Sequence, residues 1–128
     1  MDKKYWSKFY GEEFLNEEIF LPSTFAQFCQ NEVFGGQKEI IELGCGNGRD
    51  SFHFANHGHN VTAIDQCVNS ELANYRKHKN LEYIKDDFVF CAFNNHINVF
   101  YSRFTIHSIT QEDENILIPK IYRHLPPK

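Results

Sequence analysis

Glycines alternate with other residues at positions 44, 46 and 48 in the stretch Glu42-Leu43-Gly44-Cys45-Gly46-Asn47-Gly48-Arg49-Asp50. Glycine loses more backbone freedom on folding than any other residue, so this spacing implies a tight turn that a ligand approaches closely. A pyrophosphate cradle would read GxGxxG and rest on a helix N-terminus. Here Arg49 stands where the third glycine of that pattern belongs. Glu42, two residues before the first glycine, would repel a pyrophosphate and suits a cationic group. Asp65 follows about 20 residues on, the spacing at which a carboxylate accepts both ribose hydroxyls. Asp86 and Asp87 can accept from the amino group of a purine, although either serves equally well as a loop or cap residue. Together these acids describe a ligand with positive charge and a ribose but no phosphate. A sharp turn without a ligand is the alternative.

Further along, Arg103 and His107 lie four residues apart in RFTIH, so on a helical turn they share a face. His107 would act as a general base toward a hydroxyl or bind the substrate, and Arg103 would hold an anionic group such as phosphate. The structural alternatives are an ion pair for Arg103 and a helix cap for His107. Tyr5, Trp6 and Tyr10 sit at helical spacing and read either as core or as a lid whose aromatic faces meet a cation. His53 and His57 would also share a helical face, but no acidic or cysteine ligand stands beside them and Gly58 reads as a helix C-cap. No metal site is assigned. Cysteines at 29, 45, 67 and 91 form no CxxC pair and read as small buried thiols.

These residues need elements to position them. Residues 2–14 read as an amphipathic helix, and a second helix is expected from Thr24, with Thr24 and Gln27 as a capping box, to near Gly35-Gly36. EIIEL (39–43), NVTAID (60–65), LEYI (81–84) and INVFYS (97–102) read as strands. Helices are expected at about 49–57, 67–79 and 112–124, the last with Ile116, Leu117, Ile121 and Leu125 on one side. Strands alternating with helices imply parallel pairing, hence an open α/β sheet of about four strands. Ligands bind such sheets outside the carboxyl ends of the strands, where each motif above falls.

Composition fits this picture. The chain has 128 residues, 41% hydrophobic and 23% charged, with 13 phenylalanines and a net charge of −4. That describes one globular domain with an aromatic core and no basic footprint for nucleic acid. No apolar run is long enough to span a bilayer and the start has no signal-peptide pattern, so no membrane partner is expected and the default compartment is cytoplasmic.

The run IIELGCGNGRDSFHFANHGHNVTAID resembles the first two motifs of class I S-adenosylmethionine-dependent methyltransferases, and YIKDDF resembles the third. NVFYSRFTIHSI is similar to the fourth motif in a bacterial branch acting on small molecules, with Asn98 where that family often has an aspartate. The resemblance covers nearly the whole chain, residues 1–34 loosely. It implies a Rossmann-like fold and S-adenosylmethionine as cofactor, with S-adenosylhomocysteine as product. The cofactor set is then Glu42, Gly44, Cys45 and Gly46 around the methionine part, Asp65 with Gln66 at the ribose, and Asp87 with Phe88 at the adenine. Arg103 and His107 become the catalytic pair and Tyr5, Trp6 and Tyr10 a lid. One partial domain is expected, with a helical lid segment at 1–34 and a cofactor-binding core at 39–128.

The implied reaction is methyl transfer to nitrogen or oxygen of a small polar metabolite, with a phosphoethanolamine-like amine or a nucleotide-linked sugar as first candidates. A non-catalytic adenosylmethionine-binding module is one alternative. A nicotinamide-dependent oxidoreductase is another, opposed by Arg49 and Glu42. The family sheet has seven strands, whereas four are counted before RHLPPK. Strand four is therefore expected to be an exposed edge, open to a homodimer or a complementing chain, and the isolated chain is not expected to turn over by itself.

Overall fold

A strand inside a parallel sheet is buried on both faces, and four of the five residues of EIIEL, Ile40 to Leu43, are buried. The computed structural model describes residues 21–68, 71, 77–94, 96–103 and 109–126. Its strands are β1 Glu39–Leu43, β2 Asn60–Ile64, β3 Leu81–Ile84 and β4 Val99–Tyr101. They form one sheet in the order β3-β2-β1-β4. All pairings are parallel, with Glu42 between Ala63 and Tyr101. Among the described residues β4 pairs with β1 alone, at the edge of the sheet.

The helices are α1 Thr24–Phe28, α2 Arg49–Asn56 and α3 Gln111–His124. α1 runs on into a π-helical turn at Cys29–Val33, after which Gly35 takes a left-handed φ of 69°. Strand alternation sends Ile40, Val61 and Tyr101 to one face, where Ala26, Cys29, Phe34 and Phe54 cover them. Ile41, Leu43, Ile64 and Phe100 point the other way, onto Phe88, Phe93 and Leu117. Residues of the expected lid segment thus enter the core, through Ala26, Cys29 and Phe34. Among the described residues no helix is long and apolar enough to cross a membrane.

Three details depart from expectation. The cap of α1 is Ser23 rather than Thr24: its Oγ accepts the Ala26 N–H at 3.1 Å, and Gln27 donates to the Pro22 carbonyl instead of closing a box. β4 is three residues long because Asn98 spends its side chain on the neighbouring backbone, its Oδ1 accepting the Glu39 N–H at 2.8 Å. On α3, Leu117 is buried and Ile121 packs beside it, but Ile116 is 45% exposed. The helices expected at 2–14 and, for the most part, 67–79 lie outside the described residues.

One carboxylate ties the sheet to both helices on its first face. Asp50, in the first turn of α2, is only 2% exposed. Its Oδ1 accepts the Ser23 N–H, and its Oδ2 accepts from Ser23 Oγ and Tyr101 Oη, each at 2.8 Å. Arg103 Nε completes the set at 3.4 Å. Desolvation and the Asp50 charge drive the Tyr101 pKa far upward, so its phenol stays a donor. A second buried link uses His59, 1% exposed, whose Nδ1 accepts the Lys38 N–H at 2.9 Å. An imidazole accepting at Nδ1 carries its proton on Nε2, which faces Gln30 Oε1 at 2.7 Å.

Asp50→Asn should therefore destabilise the chain by about 3 kcal/mol in urea unfolding, since a buried charge network loses its centre. Tyr101→Phe should cost about 1–2 kcal/mol in the wild-type background, and markedly less when Asp50 is already Asn. Equal costs in both backgrounds would mean that the two groups do not act together.

Burial first, then the charges of His57 and Lys38, hold the His59 pKa below its ordinary 6.5. The folded state then binds fewer protons than the unfolded chain, so this stability is complete above pH 6.5 and is lost as pH falls from there through the lowered pKa of the folded state. The urea midpoint should drop on acidification, and the drop should be smaller in His59→Gln. An unchanged pH dependence in the variant would assign the effect to other groups.

Candidate functional site

The sheet order reverses direction between β1 and β4, and open α/β sheets place ligands outside the strand ends at such a switch point. A crevice of about 40 Å³ opens there, lined by Glu42, Gly44, Cys45, Asn47, Arg49, Asp50 and Arg103. Its floor is the glycine turn, where Gly44, Gly46 and Gly48 take φ values of 77°, 56° and 76°. The Gly44 N–H donates to the Ile64 carbonyl at 2.7 Å, which folds the turn over the end of β2. Gly48 is fixed twice over: its φ is left-handed, and a Cβ there would sit 2.8 Å from Tyr83 Oη.

Period-two alternation puts Glu42 on the same sheet face as Ile40, toward α2. It is 3% exposed and its Oε1 accepts from Ser51 Oγ at 2.5 Å. Burial, reinforced by the nearby Asp50 charge, holds its pKa well above the ordinary 4.5. Glu42 thus resists ionising. Cys45 behaves alike: burial, then Asp65 and Glu42, push its thiol well above 9.0, so it is wall and not nucleophile.

Asp65 stands just past β2, 6% exposed, and braces the turn from the side of β2. Its Oδ2 accepts the Gly46 N–H at 3.0 Å and its Oδ1 the Cys67 N–H at 2.8 Å. Each oxygen keeps a second lone pair for another donor. Gln66 follows it, half-buried. After β3, Asp87 Oδ1 accepts the Val89 N–H at 2.9 Å and so shapes the next turn, while Phe88 is 6% exposed with its ring in the second-face core. Asp86 is exposed and bonds the Asp87 N–H.

The structure therefore gathers Glu42, Gly44, Cys45 and Arg103 at one crevice, with Gly46 and Asp65 underpinning it. Asp87 and Phe88 belong to the loop beyond β3. Arg103 is engaged by Asp50, the ion-pair alternative, and its side chain is 30% exposed at the crevice wall. Asn98 works at the opposite end of the sheet, where its N–H also donates to the Glu39 carbonyl. His107, Tyr5, Trp6 and Tyr10 lie outside the described residues. Sequence reasoning passed over Asp50 and Asn47, both buried in the crevice wall. An acid in the first turn after a glycine loop was the available signal for Asp50.

Comparison with known proteins agrees with this geometry. Residues 40–128 match the family model described as a methyltransferase domain. Burkholderia thailandensis 1,6-didemethyltoxoflavin-N1-methyltransferase, solved with its substrate and S-adenosylhomocysteine, superposes with a TM-score of 0.76 at 18% identity, over 98% of this chain and 56% of that one. The glycopeptide N-methyltransferase MtfA in complex with S-adenosylmethionine gives 0.64 at 19% identity, over 81% and 50%. Coclaurine N-methyltransferase with N-methylheliamine and S-adenosylhomocysteine gives 0.63 at 18%, over 78% and 31%. The chain thus spans about half or less of the length of these structures. A search of curated proteins found no match. With strand order, glycine turn and strand-end acids in agreement with a family match over residues 40–128, the chain belongs to the methyltransferase domain family.

Proposed function

We propose that the crevice binds S-adenosylmethionine and that the protein transfers its methyl group to a small polar metabolite. The observation that carries this reading is the donor and acceptor chemistry of the strand ends. Glu42 and Asp65, 3% and 6% exposed, are acceptors held beside the glycine turn. Such a set suits an ammonium and ribose hydroxyls and opposes a pyrophosphate. When bound, the cofactor supplies a methyl carbon activated by its sulfonium. Glu42 would then balance the ammonium, Asp65 would accept from the ribose, and Asp87 would meet the adenine. Arg103, anchored by Asp50, would mark the acceptor side of the crevice.

Methyl transfer is an in-line displacement, so the protein's part is chiefly to orient the nucleophile and exclude water. An amine attacks without a general base, which a hydroxyl needs. The three similar structures described above are N-methyltransferases by name, which supports nitrogen as the accepting atom. A phosphorylated amine such as phosphoethanolamine is the first acceptor to test, with Arg103 at its anionic end, and a nucleotide-linked sugar the second.

Titration calorimetry should detect adenosylmethionine and adenosylhomocysteine binding and none of NAD. Asp65→Ala should weaken that binding by tenfold or more, because charge-assisted hydrogen bonds contribute about 1.5–3 kcal/mol each. Full affinity in the variant would remove Asp65 from the site, and no binding by the wild-type chain would overturn the reading.

Glu42 adds a proton signature. Its pKa is raised by burial, and a bound ammonium would draw it back down, so binding should expel a proton wherever the free protein holds Glu42 protonated. Calorimetric heats in buffers of different ionisation enthalpy should show this release in the wild type and its loss in Glu42→Gln. Equal release in both would assign the proton elsewhere.

A further inference from the structure

Lys120 lies on α3, far in sequence from every residue assigned above, yet all three of its ammonium protons are used at one place. Nζ donates to the carbonyls of Phe88, Val89 and Cys91 at 2.8, 2.7 and 2.8 Å. The same atom lies 4.1 Å from the centroid of the Phe93 ring, over its face. These carbonyls belong to the turn that Asp87 opens. At its start, Asp87 Oδ1 takes the Val89 N–H, and the Asp87 carbonyl takes the Phe90 and Cys91 N–H groups at 3.1 and 2.9 Å. One end of the turn is therefore fixed by an acid and the other by a base.

An ammonium is a compact charge with three donors on a flexible stem, and three carbonyls converging on a point match it. Such a clasp is specific to lysine, because the planar fork of arginine cannot address three converging acceptors. The site for this clasp is prepared by α3 itself. Leu117 and Ile121 pack in the second-face core and hold the helix, while His124 Nδ1 meets the Lys120 carbonyl at 2.7 Å. The His124 ring also stands edge-on to Phe93, 5.5 Å between centroids. Phe93 is thus shared between the lysine and the helix end.

We propose that Lys120 is a positioning residue for the purine end of the cofactor crevice. By clasping the 88–91 carbonyls it fixes where Asp87 stands, and so sets how well the site distinguishes an amino-bearing purine from its 6-oxo counterpart. This rests on the adenosylmethionine reading given above.

The test uses the whole chain as Lys120→Met, which keeps the apolar stem, and Lys120→Arg, which keeps the charge. Calorimetry would compare S-adenosylhomocysteine with S-inosylhomocysteine, its deaminated analogue. Amide exchange at Val89, Phe90 and Cys91 would be followed by NMR on each folded protein. Loss of a buried hydrogen-bonded match to the amino group should lower the adenosyl-over-inosyl preference about tenfold or more in both variants. Exchange at the three amides should quicken in both, while the far-UV spectrum is unchanged. A merely structural lysine would lower the affinity for both ligands equally and leave their ratio intact, which would overturn the proposal. So would a Lys120→Arg protein that behaves as wild type. If the wild-type chain binds neither ligand, the adenosylmethionine reading falls, and the purine assignment of this turn falls with it. Slow, unaltered exchange in Lys120→Met would separately refute the clasp.

Discussion

The arrangement around the crevice depends on a single buried carboxylate. Asp50 is 2% exposed, and four protein donors converge on it: two from Ser23, one from Tyr101 and the guanidinium of Arg103. Each of these three residues belongs to a different part of the site. Ser23 brings the N-terminus of α1, Tyr101 brings the carboxyl end of β4, and Arg103 brings the segment that follows. A buried anion without partners costs far more than any one of these contacts supplies, so each contact supports the others.

Glu42 shows what this proximity does to a neighbour. Burial disfavours its anion first, and the Asp50 charge close by adds to the penalty. Two acids in one wall therefore differ: Asp50 pairs with the cation of Arg103, while Glu42 is held toward its neutral form. Sequence alone, which scores both as negative, cannot distinguish them.

Much of this was legible beforehand, for identifiable reasons. β1 and β3 were found to the residue because apolar runs bounded by glycine, asparagine and lysine leave little choice of ends. The crevice was located because glycines at 44, 46 and 48 and acids at 42 and 65 carry their chemistry in their side chains, or in the lack of them. What escaped depends on partners distant in sequence. Ser23 and Thr24 are adjacent hydroxyls with equal claim to the cap, and Asp50, 27 residues on, selects the first. Lys120 was unreadable because its acceptors are backbone carbonyls, which every residue type possesses. Arg103 was read as substrate-facing or structural with no basis for choosing, since only the folded chain shows the anion opposite it.

The long reach of the Asp50 contacts has a consequence for how the chain is made. Asp50 takes one set of partners from 27 residues earlier and another from 51 residues later. On the ribosome the N-terminal side emerges first, so α1, β1 and α2 can join while β4 is still inside the exit tunnel. In that interval the carboxylate has its serine but neither its phenol nor its guanidinium, and one side of β1 lacks a neighbouring strand. The nascent chain therefore passes through a window in which an unsatisfied anion and an open strand edge coexist. That window closes when Tyr101 and Arg103 appear. The rate of elongation across residues 51–103 thus sets how long that window stays open.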